Sequence, residues 1–204
     1  MALIAQALNV TVHTEPCDIQ EEFRLSKNTS ISRKSPAAPL KRLIDMGLIQ
    51  GRSINFAKGK EKLSQDTLAI EKATGRQCSE YDINWFNNPD ALLCTYDSVY
   101  CGYCVNVLPP AARAVVWEQL SKLVDSESGV VFVAARTDKD VASIKTGIPC
   151  FDGVRTATRK TFQHGYAPNE LGNEASNYFV YCEELVVSSD FRLVRCSHAP
   201  LPQI

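Results

Sequence analysis

Two short stretches hold residue types that suit a nucleotide-like guest. One is "INFAKGKEK" (54–62), in which Gly59 sits between Lys58 and Lys60. The other is "RQCSEYD" (76–82), a β-prone run that ends in Asp82. Glycine lets a backbone approach a ligand and take conformations closed to other residues. A carboxylate accepts two hydroxyl hydrogens at once, which suits a sugar diol. Glu61 works against the first stretch, because it adds a negative charge two places after the glycine. A P-loop is excluded. It needs a glycine five places before the "GK" and a hydroxyl residue after it, and Ile54 and Glu61 stand there instead.

"CGYC" (101–104) has the spacing of a thiol–disulfide motif. In thioredoxin-like folds that motif opens a helix after an early strand, whereas here it comes halfway along a different pattern. Zinc would need two further ligands; Cys94 is near, but no second close pair follows, so no metal is expected. The eight cysteines, several of them inside apolar runs such as "ALLCTY", read as reduced core thiols of a cytoplasmic protein. The three histidines are scattered. His164, in "TFQHGYAP", is read as a loop residue, with a base beside a substrate as the other option.

The elements that would position these residues follow from local signals. "SPAAPLKRLIDMGLIQG" (35–51) predicts a helix with Ser35 as N-cap, Pro36 at the first position and Gly47 at the end. "RSINF" (52–56) predicts a short buried strand. "LSQDTLAIEKATG" (63–75) predicts a helix capped by Ser64 and stopped by Gly75. "YDSVYCGYCVNVL" (96–108) reads as a strand running into a turn. Pro109 and Pro110 open a helix whose apolar stripe is Ala112, Val115, Val116, Leu120 and Leu123. "SGVVFVAAR" (128–136) has the unbroken apolar character of a strand buried on both faces. This alternation predicts an α/β fold, a doubly wound, mostly parallel sheet flanked by helices. Its ligands bind beyond the carboxyl ends of the strands. The tail holds a loop around "TGIPCFDG", a polar stretch, and a final apolar pair, "NYFVYCEELVV" and "FRLVRCS".

Residues 1–34 read as an N-terminal arm or extension, and 35–204 as the main domain. Within the first part "LNVTVHT" alternates like a strand, while "CDIQEEFRLSKNTSISRK" is polar and suggests an arm or a loop. The start of the chain lacks a basic region before an apolar run, so no signal peptide is expected. No run reaches the roughly 18 apolar residues of a membrane helix. Net charge is −1, but residues 23–62 carry ten Lys and Arg against only Asp45 and Glu61. That basic segment suggests phosphates as a partner; interleaving with acidic surface in the folded state would cancel it.

Taken in order, "SPAAPLKRLIDMGLI", "INFAKGKEK", "EYDINW", "YDSVYCGYCVNVLPP" and "GVVFVAAR" resemble the class I, Rossmann-like, S-adenosylmethionine-dependent methyltransferases, in particular small bacterial and phage members. The resemblance covers about residues 35–136. It implies S-adenosylmethionine as cofactor, bound by Asn55, Ala57, Gly59, Lys60, Asp82, Ile83 and Tyr103, with Asn106 also near the pocket. The family's glycine-rich motif is degenerate here: its acid is Asn55, its first glycine Ala57 and its third Glu61. Asp82 matches the acid that holds the ribose hydroxyls, and Asp97 is expected to be structural. Two functions follow from the resemblance. One is methyl transfer, with nucleic acid as a candidate acceptor met by Arg24, Lys27, Arg33, Lys34, Lys41 and Arg42. The other is an inactive, methyltransferase-like binding protein with a decayed cofactor loop.

Overall fold

A computed structural model of the chain describes residues 17–187, 190–201 and 203; "LNVTVHT" lies outside them. The helices are α1 (Ile19–Ser26), α2 (Ala38–Asp45), α3 (Gln65–Thr74), α4 (Pro110–Leu123), α5 (Asp138–Ala142) and α6 (Glu170–Ala175). The strands are β1 (Ser53–Phe56), β2 (Cys78–Tyr81), β3 (Ser98–Gly102), β4 (Val130–Ala135), β5 (Gly147–Cys150), β6 (Gly153–Thr156), β7 (Phe162–Gln163), β8 (Tyr181–Val187) and β9 (Arg192–Ser197). The main sheet has the order β2-β1-β3-β4-β9-β8. Strands β1 to β4 are parallel; β9 runs antiparallel to β4 and to β8.

Period-two alternation divides the core into two layers. Ile54, Phe56, Val99, Cys101, Val131 and Val133 face one side, against Phe23, Val116, Trp117 and Leu120 of α1 and α4. Tyr100, Phe132 and Ala134 face the other, against Leu40, Leu43 and Ile70 of α2 and α3. Helices thus cover both faces of a mostly parallel sheet, as the alternation of elements predicts.

Local chemistry sets the helix ends with one shift. Ser64 caps α3 by accepting from the Thr67 N–H, and Gly75 closes it in the left-handed conformation. Helix α2 starts later than expected: Ala37, not Ser35, is its N-cap, and Pro39 takes the early position. The Ala37 N–H is bonded to the Asp66 carboxylate at 2.7 Å, so a neighbouring helix does the work of a cap. Val115 departs from the expected stripe of α4 and stands exposed.

Two expected loops are ordered elements. The polar segment read as an arm or loop contains α1, capped by Asp18, with Glu22 and Phe23 buried. The "TGIPCFDG" loop is the hairpin β5–β6, which with β7 forms a second, antiparallel sheet. Buried Arg113 on α4 ties this unit down by pairing with Asp152 and, at 3.0 Å, with Glu174. All eight cysteines are free thiols, and Cys78, Cys101 and Cys196 are buried. Among the described residues no helix is long and apolar enough to cross a membrane.

Candidate active site

The loop after β1 is a cradle with one glycine and one unexpected substitute. Gly59 has φ +83°, and a Cβ there would sit 2.8 Å from the Ser30 hydroxyl. Ala57 has φ +57°, a left-handed conformation that costs a non-glycine residue roughly 1–2 kcal/mol. The backbone therefore keeps the course that glycine would give it, at the expense of local strain.

The charged residues of the loop are engaged within the protein or lie outside the cavity lining. Lys58 is buried and pairs with Glu80 at 2.8 Å, not with Glu61, and its ammonium lies 4.7 Å from the Phe86 ring centre. Glu80 also accepts from Thr67 at 2.6 Å. Glu61 is absent from the lining of the cavity described below. Its carboxylate accepts the Arg33 N–H at 2.7 Å. The Lys60 N–H donates to the Ser30 hydroxyl at 3.0 Å. Both bonds hold the segment 27–33 down as a roof over the loop.

Asp82, just past β2, is the hub of the opposite wall. Its Oδ1 accepts the N–H groups of Asn84 and Trp85 at 2.9 and 3.0 Å, and its Oδ2 accepts the Gly59 N–H at 2.9 Å. It thus acts as a turn acceptor and as the brace between the first two strand ends. With two oxygens and about four lone-pair sites, one site is left for a guest hydroxyl.

These walls enclose a cavity of about 220 Å³ at the carboxyl ends of β1, β2 and β3. Of the residues that the resemblance assigns to a cofactor, Ala57, Gly59, Asp82, Ile83 and Tyr103 line it; Asn55 and Lys60 do not. Asn55 instead donates to Ser64 and Thr67 beneath the loop, at 3.2 and 3.0 Å. Lining residues that the sequence reading missed are Phe23, Trp85 and Val115, and Lys27 and Arg33 of the supposed nucleic-acid set. The remaining members of that set do not join them. Arg24 pairs with Glu21 on α1, and Lys34, Lys41 and Arg42 are exposed. Helices α1 and α2 pack on opposite faces of the sheet.

A second cavity, about 730 Å³, adjoins the first. Thr29, Ile31, Arg33, Tyr103 and Val107 line both. Tyr103 has φ +59° and its N–H is bonded to the Ala134 carbonyl at 2.7 Å. Burial raises its phenol pKa. The Arg33 guanidinium stands 5.5 Å from the ring centre of Tyr103. Strain held at a residue shared by two cavities is characteristic of a working site.

The other titratable candidates are divided between the cavity and the core. Cys104 lines the first cavity, while Cys101 faces the core; hydrogen bonding to Cys104 and burial push the Cys101 thiol well above its ordinary value. Among the cavity linings His164 does not figure. It is buried beside Tyr166, with Nδ1 2.7 Å from the Asp152 carbonyl oxygen and Nε2 3.2 Å from Glu170. The Asp97 carboxylate accepts the Arg52 N–H at 2.7 Å, a structural bond as expected.

No protein-family model matches the chain, and no curated protein matches it by sequence. Solved structures do match. The complex of DhpI with SAM and HEP aligns with a TM-score of 0.54 over 90% of this chain and 99% of that one, at 15% identity. The DhpI–SAH complex gives 0.53 over 90% and 98%, at 14% identity. An O-methyltransferase family protein from Burkholderia thailandensis gives 0.55 over 89% of this chain and 58% of that one, at 10% identity. The chain has the Rossmann-like methyltransferase fold. Within that fold, the first cavity lies where strand ends and loops of an open α/β sheet place ligands.

Proposed function

We propose that the chain is an S-adenosylmethionine-dependent methyltransferase. The observation that carries this reading is the open cavity at the ends of β1, β2 and β3, with Glu61 turned out of it. A loop that had decayed into a plug would have left that space filled. The likeness to structures whose names include SAM and SAH supports the same reading.

The residues present fit the cofactor's chemistry. Asp82 accepts a ribose hydroxyl through its remaining lone pair, or through both oxygens if the Gly59 N–H is released to the guest. Ile83 and Trp85 offer apolar surface for a base, and their exposure is relieved when a ring covers them. Lys27 gives positive charge for a carboxylate. When bound, S-adenosylmethionine would supply an electrophilic methyl to an acceptor lone pair, with the carbon–sulfur bonding pair left on sulfur. The chain's own contribution is alignment, which by itself accounts for a large part of such a barrier. Tyr103 and Arg33, shared by both cavities, stand where alignment is decided.

For the acceptor, the exposed cations Lys34, Lys41 and Arg42 support a nucleic acid, whose binding would weaken steeply with salt. The second cavity supports a molecule small enough to enter it. Calorimetric titration with S-adenosylhomocysteine tests the main reading. Saturable binding is expected, and heat indistinguishable from dilution at millimolar ligand would leave only a non-catalytic binding protein.

A further inference from the structure

The second cavity is assembled from distant parts of the chain. Residues 28–33 form one side, the short turn after β3 supplies Asn106, the end of β4 supplies Arg136, and the small sheet supplies Thr156, Arg159 and Thr161. Its volume falls in the range usual for small-molecule sites.

Two features of its lining point to a guest. First, Asn106 is 1% exposed, and neither its Oδ1 nor its Nδ2 has a hydrogen-bond partner. Buried amides are nearly always satisfied, so an orphaned one at a cavity wall marks where a ligand's polar group belongs. Second, positive charge is left over. Arg136 is used, by Asp140 at 2.6 Å and by Gln163 at 2.7 Å, and this bond holds the Asp140 carboxyl below its ordinary range. The Arg33 guanidinium stands over the Tyr103 ring and its charge is felt by the buried Asp66 carboxylate, and Arg159 donates to the Asn28 carbonyl at 3.3 Å; among the described residues neither forms a close ion pair. The acids in the lining are Asp140 and Asp190.

We propose that this cavity is the acceptor site of the methyltransferase reading on which the proposal rests, and that the acceptor is a small molecule bearing an anionic group, a phosphate, sulfate or carboxylate, beside its nucleophile. Arg33 and Arg159 hold the anion, for guanidinium matches such groups with paired donors. Asn106 meets the polar group next to it and sets the acceptor's orientation. Arg33 reaches both cavities, so it places the anion at a fixed distance from the junction at Tyr103. The basic residues scored as contacts to a nucleic acid thus divide, with Arg33 serving a small anion inside.

The test is calorimetry on the full chain with inorganic phosphate, sulfate and acetate as separate probes, and with S-adenosylhomocysteine in parallel. Saturable binding of at least one anion is expected. Arg159→Gln, an exposed change that spares the fold, should weaken it about tenfold, in keeping with the loss of a charge-assisted pair. Asn106→Ala should weaken it as well, while affinity for S-adenosylhomocysteine stays within about twofold in both variants, as for a site with separate contacts. Absence of saturable anion binding, or binding indifferent to both Arg159→Gln and Arg33→Gln, overturns the proposal. So does displacement of the anion by a single-stranded oligonucleotide whose affinity depends equally on Lys41 and Arg42. Failure of S-adenosylhomocysteine alone, with anion binding intact, removes the methyltransferase reading and the acceptor role but leaves the anion site standing.

Discussion

The two cavities meet at Tyr103, yet they are built in opposite ways. The first uses the ends of consecutive parallel strands and the loops that follow them, and the charged groups at those strand ends are already bonded within the protein. Asp82 takes three backbone N–H groups, Lys58 takes Glu80, and Glu61 takes the roof. The second draws on residues from Asn28 to Asp190 and leaves the buried Asn106 amide without a hydrogen-bond partner among the described residues. A pre-bonded wall gives a rigid seat of fixed shape. A wall with spare donors gives a seat whose specificity lies in the guest's own polar groups.

That contrast can be broken most severely at Asp82. Asp82→Ala is expected to abolish S-adenosylhomocysteine binding in calorimetry, and to cost about 3 kcal/mol in urea unfolding because three donors lose a charged acceptor. Binding that survived the change would mean the seat does not depend on its bonded walls. Lys58→Met should cost a similar or slightly smaller amount, about 3 kcal/mol, by leaving the half-buried Glu80 carboxylate without its cation. Adding Glu80→Gln should recover part of the loss, and a double variant no better than the single would contradict the pairing. Glu61→Gly removes one bond to the roof and should weaken S-adenosylhomocysteine by about 1 kcal/mol, roughly fivefold. Tighter binding would instead reveal a loop shaped to keep the cofactor out. The smallest effect belongs to Ala57→Gly. It relieves the left-handed strain but frees the unfolded chain, for a net gain near 0.5 kcal/mol read as a slightly higher melting temperature.

The same contrast decides what could be read from sequence. Strands β1 to β4 and helices α3 and α4 are short, periodic and bounded by Ser64, Gly75 and the Pro109–Pro110 pair, so local chemistry reveals them. Position then follows from topology, which is why Gly59, Asp82, Ile83 and Tyr103 meet in one cavity. The fate of Glu61 could not be read this way, because its partner Arg33 lies 28 residues earlier and on another element. Helix α1 did carry a signal: Asp18 with Glu21 three places on is a capping pattern, hidden by the polar composition around it. The hairpin β5–β6 was concealed by a proline and two glycines that read as loop. The second cavity had no local signature, since its walls meet only through tertiary packing.

The bidentate grip of Arg155 on Glu22 joins residues 133 positions apart, tying α1 to the small sheet over the rest of the chain. Arg159 adds a second stitch to the same segment at Asn28. Loosening either contact would therefore be felt in both cavities, whose walls share Thr29, Ile31 and Arg33 of the stitched segment.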